Sequence, residues 1–321
     1  MHNRPLLQRR PFFILGNKQY PVYSSIIFEF MKLLALIFCI ICLWSCEKNI
    51  NFDLKQVPDI LVVDASIENG QPPVVILSKS FDYYSNISLA TLDSSFVHNA
   101  DVSISNGSQI QKLKEYSVDS TGVKIYFYSI DSANIASSFL GKLNTTYNLK
   151  VISAGQEYDA TTTIPSLADK IDSLWWKPTP FADDSTEADI FIRATDPAGL
   201  GNYTRYYTRI NSGLFLPGQQ SVFDDELTDG TTYDVKITPG IDRNNPTSFD
   251  KNFFHRGDSV TLKLSNIDRG TYKFWLTMEF AYQSIGNPFA SPNIVLGNIS
   301  NGGLGAFCGY ASSFRTLYIP D

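Results

Sequence analysis

Short runs in which apolar and polar residues alternate, each closed by a turn signal, recur along this chain and restrict it to β-rich folds. In ILVVDASI, Leu61, Val63, Ala65 and Ile67 alternate with Val62, Asp64 and Ser66, and Asn69-Gly70 follows. Successive side chains of a strand point to opposite faces, so this pattern gives one buried and one solvated face. VVILSKS is the expected partner strand. ADVSISNG repeats the device, with Val102 and Ile104 on one face and Asn106-Gly107 as the turn. VKIYFYSI is a dense aromatic strand, and TYNLKVISAGQEYDATTTIP reads as a hairpin around Ala154-Gly155-Gln156 that Pro165 stops. Turn signals every ten residues or so predict a β-sandwich over residues 57–166.

The second half, 167–321, reads as a further β-rich domain. KIDSLWWKP opens it, and ADIFIRATD, YTRYYTRI and TYDVKITPG are strand candidates. In DSVTLKLSNI, Val260, Leu262 and Leu264 alternate cleanly. DRGTYKFWLTMEFAYQSIGNP fits either a helix or a strand by its apolar positions. A helix near 269–285 is preferred, because so long an unbroken run exceeds an ordinary strand. Asp268 would cap it, Gly286 and Pro288 would end it, and Tyr272, Trp275, Leu276 and Glu279 would share one face. The glycine-rich tail closes on a strand.

Upstream of these modules lies MKLLALIFCIICLWSCEKN. Lys32 precedes an apolar run of twelve residues, Leu33–Trp44, shorter than the roughly 20 needed to span a bilayer. The length fits a cleavable export signal, residues 31–45. The run ends in Leu43-Trp44-Ser45-Cys46, the order of a bacterial lipobox, with an aliphatic residue at −3, a small one at −1 and cysteine at +1. Cys46 is thereby the expected lipidation site. Two or three acyl chains, at about 0.8 kcal/mol per buried methylene, would hold the protein on a membrane where one would be marginal. Residues 1–30 are expected to be a mis-called extension ahead of a start at Met31, and 46–56 a lipidated tether. Only Glu47 and Asp53 are acidic in that tether, which leaves the membrane leaflet open, periplasmic or surface.

Removal of the signal takes away Arg4, Arg9, Arg10, Lys18 and Lys32 against Glu29 alone, so the exported chain is more acidic than the formal −6 of the whole. That balance argues against nucleic acid as a partner. Cys39 and Cys42 leave with the signal and Cys46 becomes the anchor, so Cys308 has no partner for an internal disulfide. The fold must rest on a buried core.

No catalytic set converges in the sequence, and the chain is read as not an enzyme. His98 and His255 fall in different modules without zinc-type spacing, and Cys308 reads as a buried, inert thiol. There is no nucleophile elbow, phosphate loop or dinucleotide fingerprint. Phe223–Gly230 and Ala182–Asp189 are acidic loops of the kind that can bind Ca2+; a solvated charge run is the preferred reading, and no cofactor is assigned. Trp175, Trp176, Tyr203, Tyr206 and Tyr207 are the binding candidates, since an exposed aromatic ring can stack on a sugar or a partner protein, although core packing is the simpler account. Asp-Ser followed by a small or apolar residue, at Asp131, Asp172 and Asp258, resembles an O-glycosylation tripeptide of exporting bacteria.

GNPFASPNIVLGNISNGGLGAFCGY resembles the C-terminal signature of a family of Bacteroidota-type outer-membrane lipoproteins of unknown function. The matching positions are Asn287, Pro288, Phe289, Asn298, Ile299, Gly302, Gly303, Gly305, Phe307 and Tyr310. LVVDASIENGQPPVVILSKSFDYY is similar to the family's opening, and RGDSVTLKLSNIDRGTYKFW to its late middle. The N-terminal half resembles immunoglobulin- or transthyretin-like sandwiches, including carboxypeptidase-regulatory ones. The resemblance implies an outer-membrane lipoprotein encoded beside a TonB-dependent receptor, hence an accessory role in nutrient uptake. The alternative is a structural or adhesive surface protein.

Overall fold

The computed structural model describes residues 29–34, 59–81, 88–120, 122–133, 138–182, 184–243, 253–287, 289–291 and 293–321. The chain divides into two units, Met1–Gln56 and Val57–Asp321. In the first, residues 29–34 are helical and exposed, with Lys32 Nζ 2.8 Å from Glu29 Oε1. Cys46, the tether and most of the expected extension and signal lie outside the described residues, as does Pro288. Among the described residues no helix is long and apolar enough to cross a membrane, a statement that does not bear on β-barrels.

The second unit is mainly β. Its largest sheet has eight strands, in the order β12 (Leu216–Asp224), β11 (Tyr203–Ile210), β15 (Ser259–Ile267), β16 (Leu304–Tyr318), β1 (Leu61–Glu68), β2 (Val74–Lys79), β6 (Val123–Ser129) and β5 (Lys114–Ser120). A second sheet orders β4 (Ile110–Lys112), β3 (Asp101–Ser105), β7 (Thr145–Ser153) and β8 (Gln156–Ile164). In a third, β10 (Glu187–Thr195) pairs with β9 (Lys170–Pro178) on one edge and with β13 (Thr232–Ile237) and β14 (Phe254–His255) on the other. Among the described residues two helices complete the unit, α1 (Leu89–Ser95) and α2 (Arg269–Ser284).

The expected alternation sets the first core. Leu61, Val63, Ala65 and Ile67 of β1 and Val75 and Leu77 of β2 meet Val102, Ile104, Tyr147, Leu149 and Val151 from the second sheet. The β7–β8 hairpin turns through Ala154 and Gly155, with φ of 48° and 78°. Paired positive-φ residues suit the right-handed twist of the flanking strands.

The boundary expected at residue 166 falls inside one unit, because a single strand serves both halves. β16 runs parallel to β1 from Val62↔Leu304 to Glu68↔Tyr310, and antiparallel to β15 from Ile267↔Tyr310 to Ser259↔Tyr318. The division survives only in the covering layers. The second sheet packs on the β1–β2–β6 side, while the third contributes Ile171, Ile192, Ala194 and Ile237 to a core with Tyr206, Leu262 and Leu264.

α2 forms where the unbroken run predicts a helix. Asp268 caps it, its Oδ1 accepting from the Thr271 N–H at 2.7 Å, and Gly286 follows its end with φ 80°. The other Asp268 oxygen accepts from Thr162 Oγ1 at 2.8 Å and Thr163 N at 2.7 Å, so the cap also ties the helix to β8. The buried face differs from the expected one. It runs through Thr271, Phe274, Trp275 and Met278 to Glu279, which leaves Tyr272 at its margin and Leu276 beyond it, 44% exposed. This face covers Ala306, Cys308 and Tyr310 on the back of β16.

Candidate binding cleft and acidic cluster

β12 ends the large sheet and β13 is an edge of the third. Between these two strands the sandwich opens into a cleft of about 840 Å3. Tyr206, Phe223, Tyr233 and Tyr272 supply aromatic walls, and Gln219 and Gln220 supply amides. The Tyr206 hydroxyl lies 2.9 Å from Thr238 Oγ1, and the Tyr272 hydroxyl donates to Asp224 Oδ2 at 2.9 Å. Burial, then the bond and charge of Asp224, push the Tyr272 hydroxyl up to about 12, so it remains a donor at neutral pH. Gly218 permits the Tyr206 position, because a Cβ there would collide with the phenol ring and its hydroxyl.

One end of the cleft is acidic. Asp169 precedes β9, Asp196 follows β10, and Asp225 and Asp229 lie in the turn after β12. One carboxylate oxygen from each of Asp196, Asp225 and Asp229 falls within 4.8 Å of the others. The loops are built to hold them. Gly201 N and Asn202 N each donate to Asp225 Oδ2 at 2.9 Å, and Gly199 N donates to Asp229 Oδ1 at 2.5 Å. Gly199 and Gly201 have φ of 126° and 116°, conformations that let these N–H groups turn inward. The Asp196 N–H donates to Thr231 O at 3.0 Å and joins the two loops. Asp169, 5% exposed, accepts from Asn266 Nδ2 at 2.6 Å. Burial, then the carboxylate of Asp196 beside it, raises the Asp169 carboxyl to about 7. The hydroxyl of Tyr233 is pushed up to about 12 by burial, then by the charges of Asp169 and Asp196.

The five aromatic candidates do not assemble into one site. Trp175 stacks on Phe191 at 5.9 Å, and Trp176 packs beside the core of Ala188, Ile190 and Phe254 with Arg256 5.2 Å from its ring. Tyr203 stacks on Tyr272 at 4.7 Å, on the α2 side of β11. Tyr207 is half-buried there too, 4.8 Å from the Arg205 guanidinium. Tyr206 points the other way and lines the cleft. The two acidic loops also differ in kind. Phe223–Gly230 provides Asp225 and Asp229, whereas in Ala182–Asp189 the Asp184 carboxylate accepts from Thr186 N and Asp189 pairs with Lys236 at 2.8 Å.

The signature residues act as structural fasteners. Asn298 Oδ1 accepts from Phe307 N, and its Nδ2 donates to Phe307 O and Thr161 O, all at 2.8–3.0 Å. Ile299 packs on the first core, in which Phe307 is wholly buried. Gly302 follows Asn301 in a turn with φ of 54° and 75°, and Gly303 lies against Ile299 and Tyr158. Gly305, φ 91°, sits where a Cβ would strike Val63 O. Tyr310 accepts from Trp275 Nε1 at 2.8 Å. Asn287 Oδ1 accepts from Phe289 N at 3.0 Å, and the Phe289 ring is exposed.

Among the described residues, neither histidine meets a nucleophile. His98 Nδ1 is 2.6 Å from Glu115 Oε1, and the His255 backbone N–H donates to Asp258 Oδ2 at 2.9 Å. The Cys308 thiol is buried under α2, which pushes it up to about 12. The residues that the sequence reading missed are Asp169 and Asp196. Asp196 had a signal: DPAGLGN places an aspartate at a strand end and two glycines behind it, a loop able to turn its amides inward. Asp169, a lone acid before a strand, had none.

No curated protein matches the chain. A family profile described as a domain of unknown function (DUF4249) matches residues 47–316, which takes in both covering layers and the large sheet up to Thr316 in β16. The chain therefore belongs to the DUF4249 family.

Proposed function

We propose that this protein is a non-catalytic lipoprotein of the outer membrane that binds a small ligand as the accessory partner of a TonB-dependent receptor in nutrient uptake. The observation that carries the binding role is the cleft between β12 and β13. Its size falls within the range of small-molecule sites, and its aromatic walls and amide groups suit a neutral polar ligand such as a saccharide. The order lysine, apolar run, serine, cysteine at Lys32–Cys46 supports the lipid anchor. A partner surface is supported by Phe280, Ile285, Phe289 and Ile294, large apolar side chains left exposed on α2 and the stretch after it. The environments of His98 and Cys308 support a protein without covalent or acid–base chemistry, since one is held by Glu115 and the other has no accessible thiolate.

The test is purification of the tagged full-length protein from detergent-solubilised membranes. Labelled palmitate is expected to enter the wild type and to be absent from Cys46→Ala, and a TonB-dependent receptor is expected to co-purify with the wild type. Release of neither variant from the membrane, or repeated purification without a receptor, counts against the reading. A deletion that alters attachment while leaving uptake intact would select the adhesive role instead.

A further inference from the structure

The acidic end of the cleft carries more negative charge than its surroundings neutralise. Asp196, Asp225 and Asp229 converge within 4.8 Å, with Asp169 against Asp196 behind them. Among the described residues, no Lys, Arg or His forms an ion pair with any of the four. The cations nearby are engaged elsewhere, Arg193 with Asp234 and Lys236 with Asp189. Clustered carboxylates repel one another strongly when water is excluded.

A second observation comes from Asp196 itself. The residue is only 2% exposed. Its Oδ1 receives a 3.3 Å hydrogen bond from Asn202 Nδ2 and its carboxylate meets the Asp169 carboxyl behind it, whereas its Oδ2 is a fully buried oxygen that receives no hydrogen bond from an N–H or hydroxyl group. Buried polar atoms are rarely left in that state, and an orphan in a native fold points to a missing ion or water. An anionic oxygen next to two further carboxylates repels any acceptor and calls for a cation. Asp225 Oδ2 is filled by the Gly201 and Asn202 amides, whereas Asp225 Oδ1 and Asp229 Oδ1 each accept one amide and keep a lone pair.

We propose that Asp196, Asp225 and Asp229 form a calcium site that clamps the 196–202 and 225–231 loops together at the acidic end of the cleft. The donors are all oxygen, which selects a hard cation over zinc. With Asp225 Oδ2 held by two amides, the three carboxylates offer up to about five oxygens, and water completes the six to eight that Ca2+ takes. They sit on two loops and not on one rigid element, a setting that suits the irregular geometry of Ca2+ better than the strict octahedron of Mg2+. Asp169 acts from behind, its carboxyl holding Asp196 in place through the cluster while Asn266 anchors it to β15. The inference stands apart from the receptor reading, since a cation can hold these loops whatever partner or ligand the protein meets.

The experiment uses the full chain stripped with EDTA and titrated with CaCl2 by calorimetry, with MgCl2 in parallel. A single saturable Ca2+ site is expected, with Mg2+ weaker. Asp196→Asn and Asp229→Asn are each expected to weaken Ca2+ by about tenfold or more, because carboxylate count sets affinity in such sites. Asp184→Asn, in the other acidic loop, is expected to bind as the wild type does. Should Asp196→Asn fail to fold, terbium luminescence on the wild type replaces it. Tyr233 lies beside Asp169 and Asp196, so tyrosine excitation is expected to sensitise bound Tb3+, Ca2+ to quench that emission by displacement, and Tyr233→Phe to dim it. Absence of saturable Ca2+ binding up to millimolar concentration, equal affinity for Mg2+, or unchanged Ca2+ binding by a folded Asp196→Asn each overturns the site. Sensitised emission indifferent to Tyr233→Phe does so as well.

Discussion

Glu279 shows how strongly one side chain can fix the α2 helix to the sheet. It is 3% exposed, and its carboxylate accepts from Ser221 N at 3.0 Å and from the Ser221 hydroxyl. Arg243 Nη2 stands 3.4 Å away and Arg205 Nη2 4.0 Å. Arg205 is itself buried, with its guanidinium 3.4 Å from the centre of the Trp275 ring and its Nε donating to Ser221 Oγ at 3.0 Å. Such a network is weak evidence of net stabilisation, because both charges were taken out of water to make it. Breaking it is another matter. Glu279→Ala strands the Arg205 charge in the interior, and removal of one partner of a buried pair costs about 3–5 kcal/mol. Urea denaturation is expected to show a loss of that size, with Glu279→Gln intermediate because the amide still accepts from Ser221. A loss under about 1 kcal/mol, the level of an exposed pair, would contradict the account. The sequence placed Glu279 on one helical face with Tyr272, Trp275 and Leu276, and nothing in it pointed to Arg205 as the charge that it meets.

At the level of elements, what could be read in advance depended on whether a strand has one wet face. β1, β3, β7 and β8 do, and their alternation named the buried residues correctly: Val63, Ile104, Leu149 and Ala160 all lie in the first core. β16 does not. The third and second sheets cover one side and α2 the other, so Ala306 through Ser312 are buried without a break and no period of two survives. It is also fifteen residues long, which defeats the length argument that separated helix from strand at α2. Its glycines carry the remaining signal. Gly305 combines a φ of 91° with a position against Val63 O, at the start of the parallel β1 pairing. Alanine there meets both a strained backbone and a fixed carbonyl, so Gly305→Ala is expected to lower stability by about 2 kcal/mol or more. Gly302, φ 75° with open space around it, is the control; alanine there carries only the backbone strain. Chemical denaturation that ranks Gly302→Ala as the more damaging would show that the close approach to β1 is not what the glycine provides.

Over the whole molecule, the local turn signals suggest two bodies, whereas Val57–Asp321 forms a single unit. Pairing between β1 and β16 joins residues more than two hundred positions apart, and no local pattern encodes such a contact. β16 then supplies three cores at once. Phe307 and Ala311 enter the first, Ala306, Cys308 and Tyr310 lie under α2, and Leu317 packs beside the cluster of Ala188, Ile190 and Phe254. Truncation after Gly303 removes that strand and leaves β1 and β15 each with an open edge and an uncovered apolar face. Both halves are expected to lose fixed packing together. The informative measurement is amide hydrogen exchange read separately for β7 and β10, which lie in different covering sheets and touch β16 through different cores. Loss of protection in both is the outcome of one cooperative unit. Retained protection in β7 with loss in β10 would mean that residues 57–166 stand alone as a sandwich, and that β16 closes it from outside without holding it up.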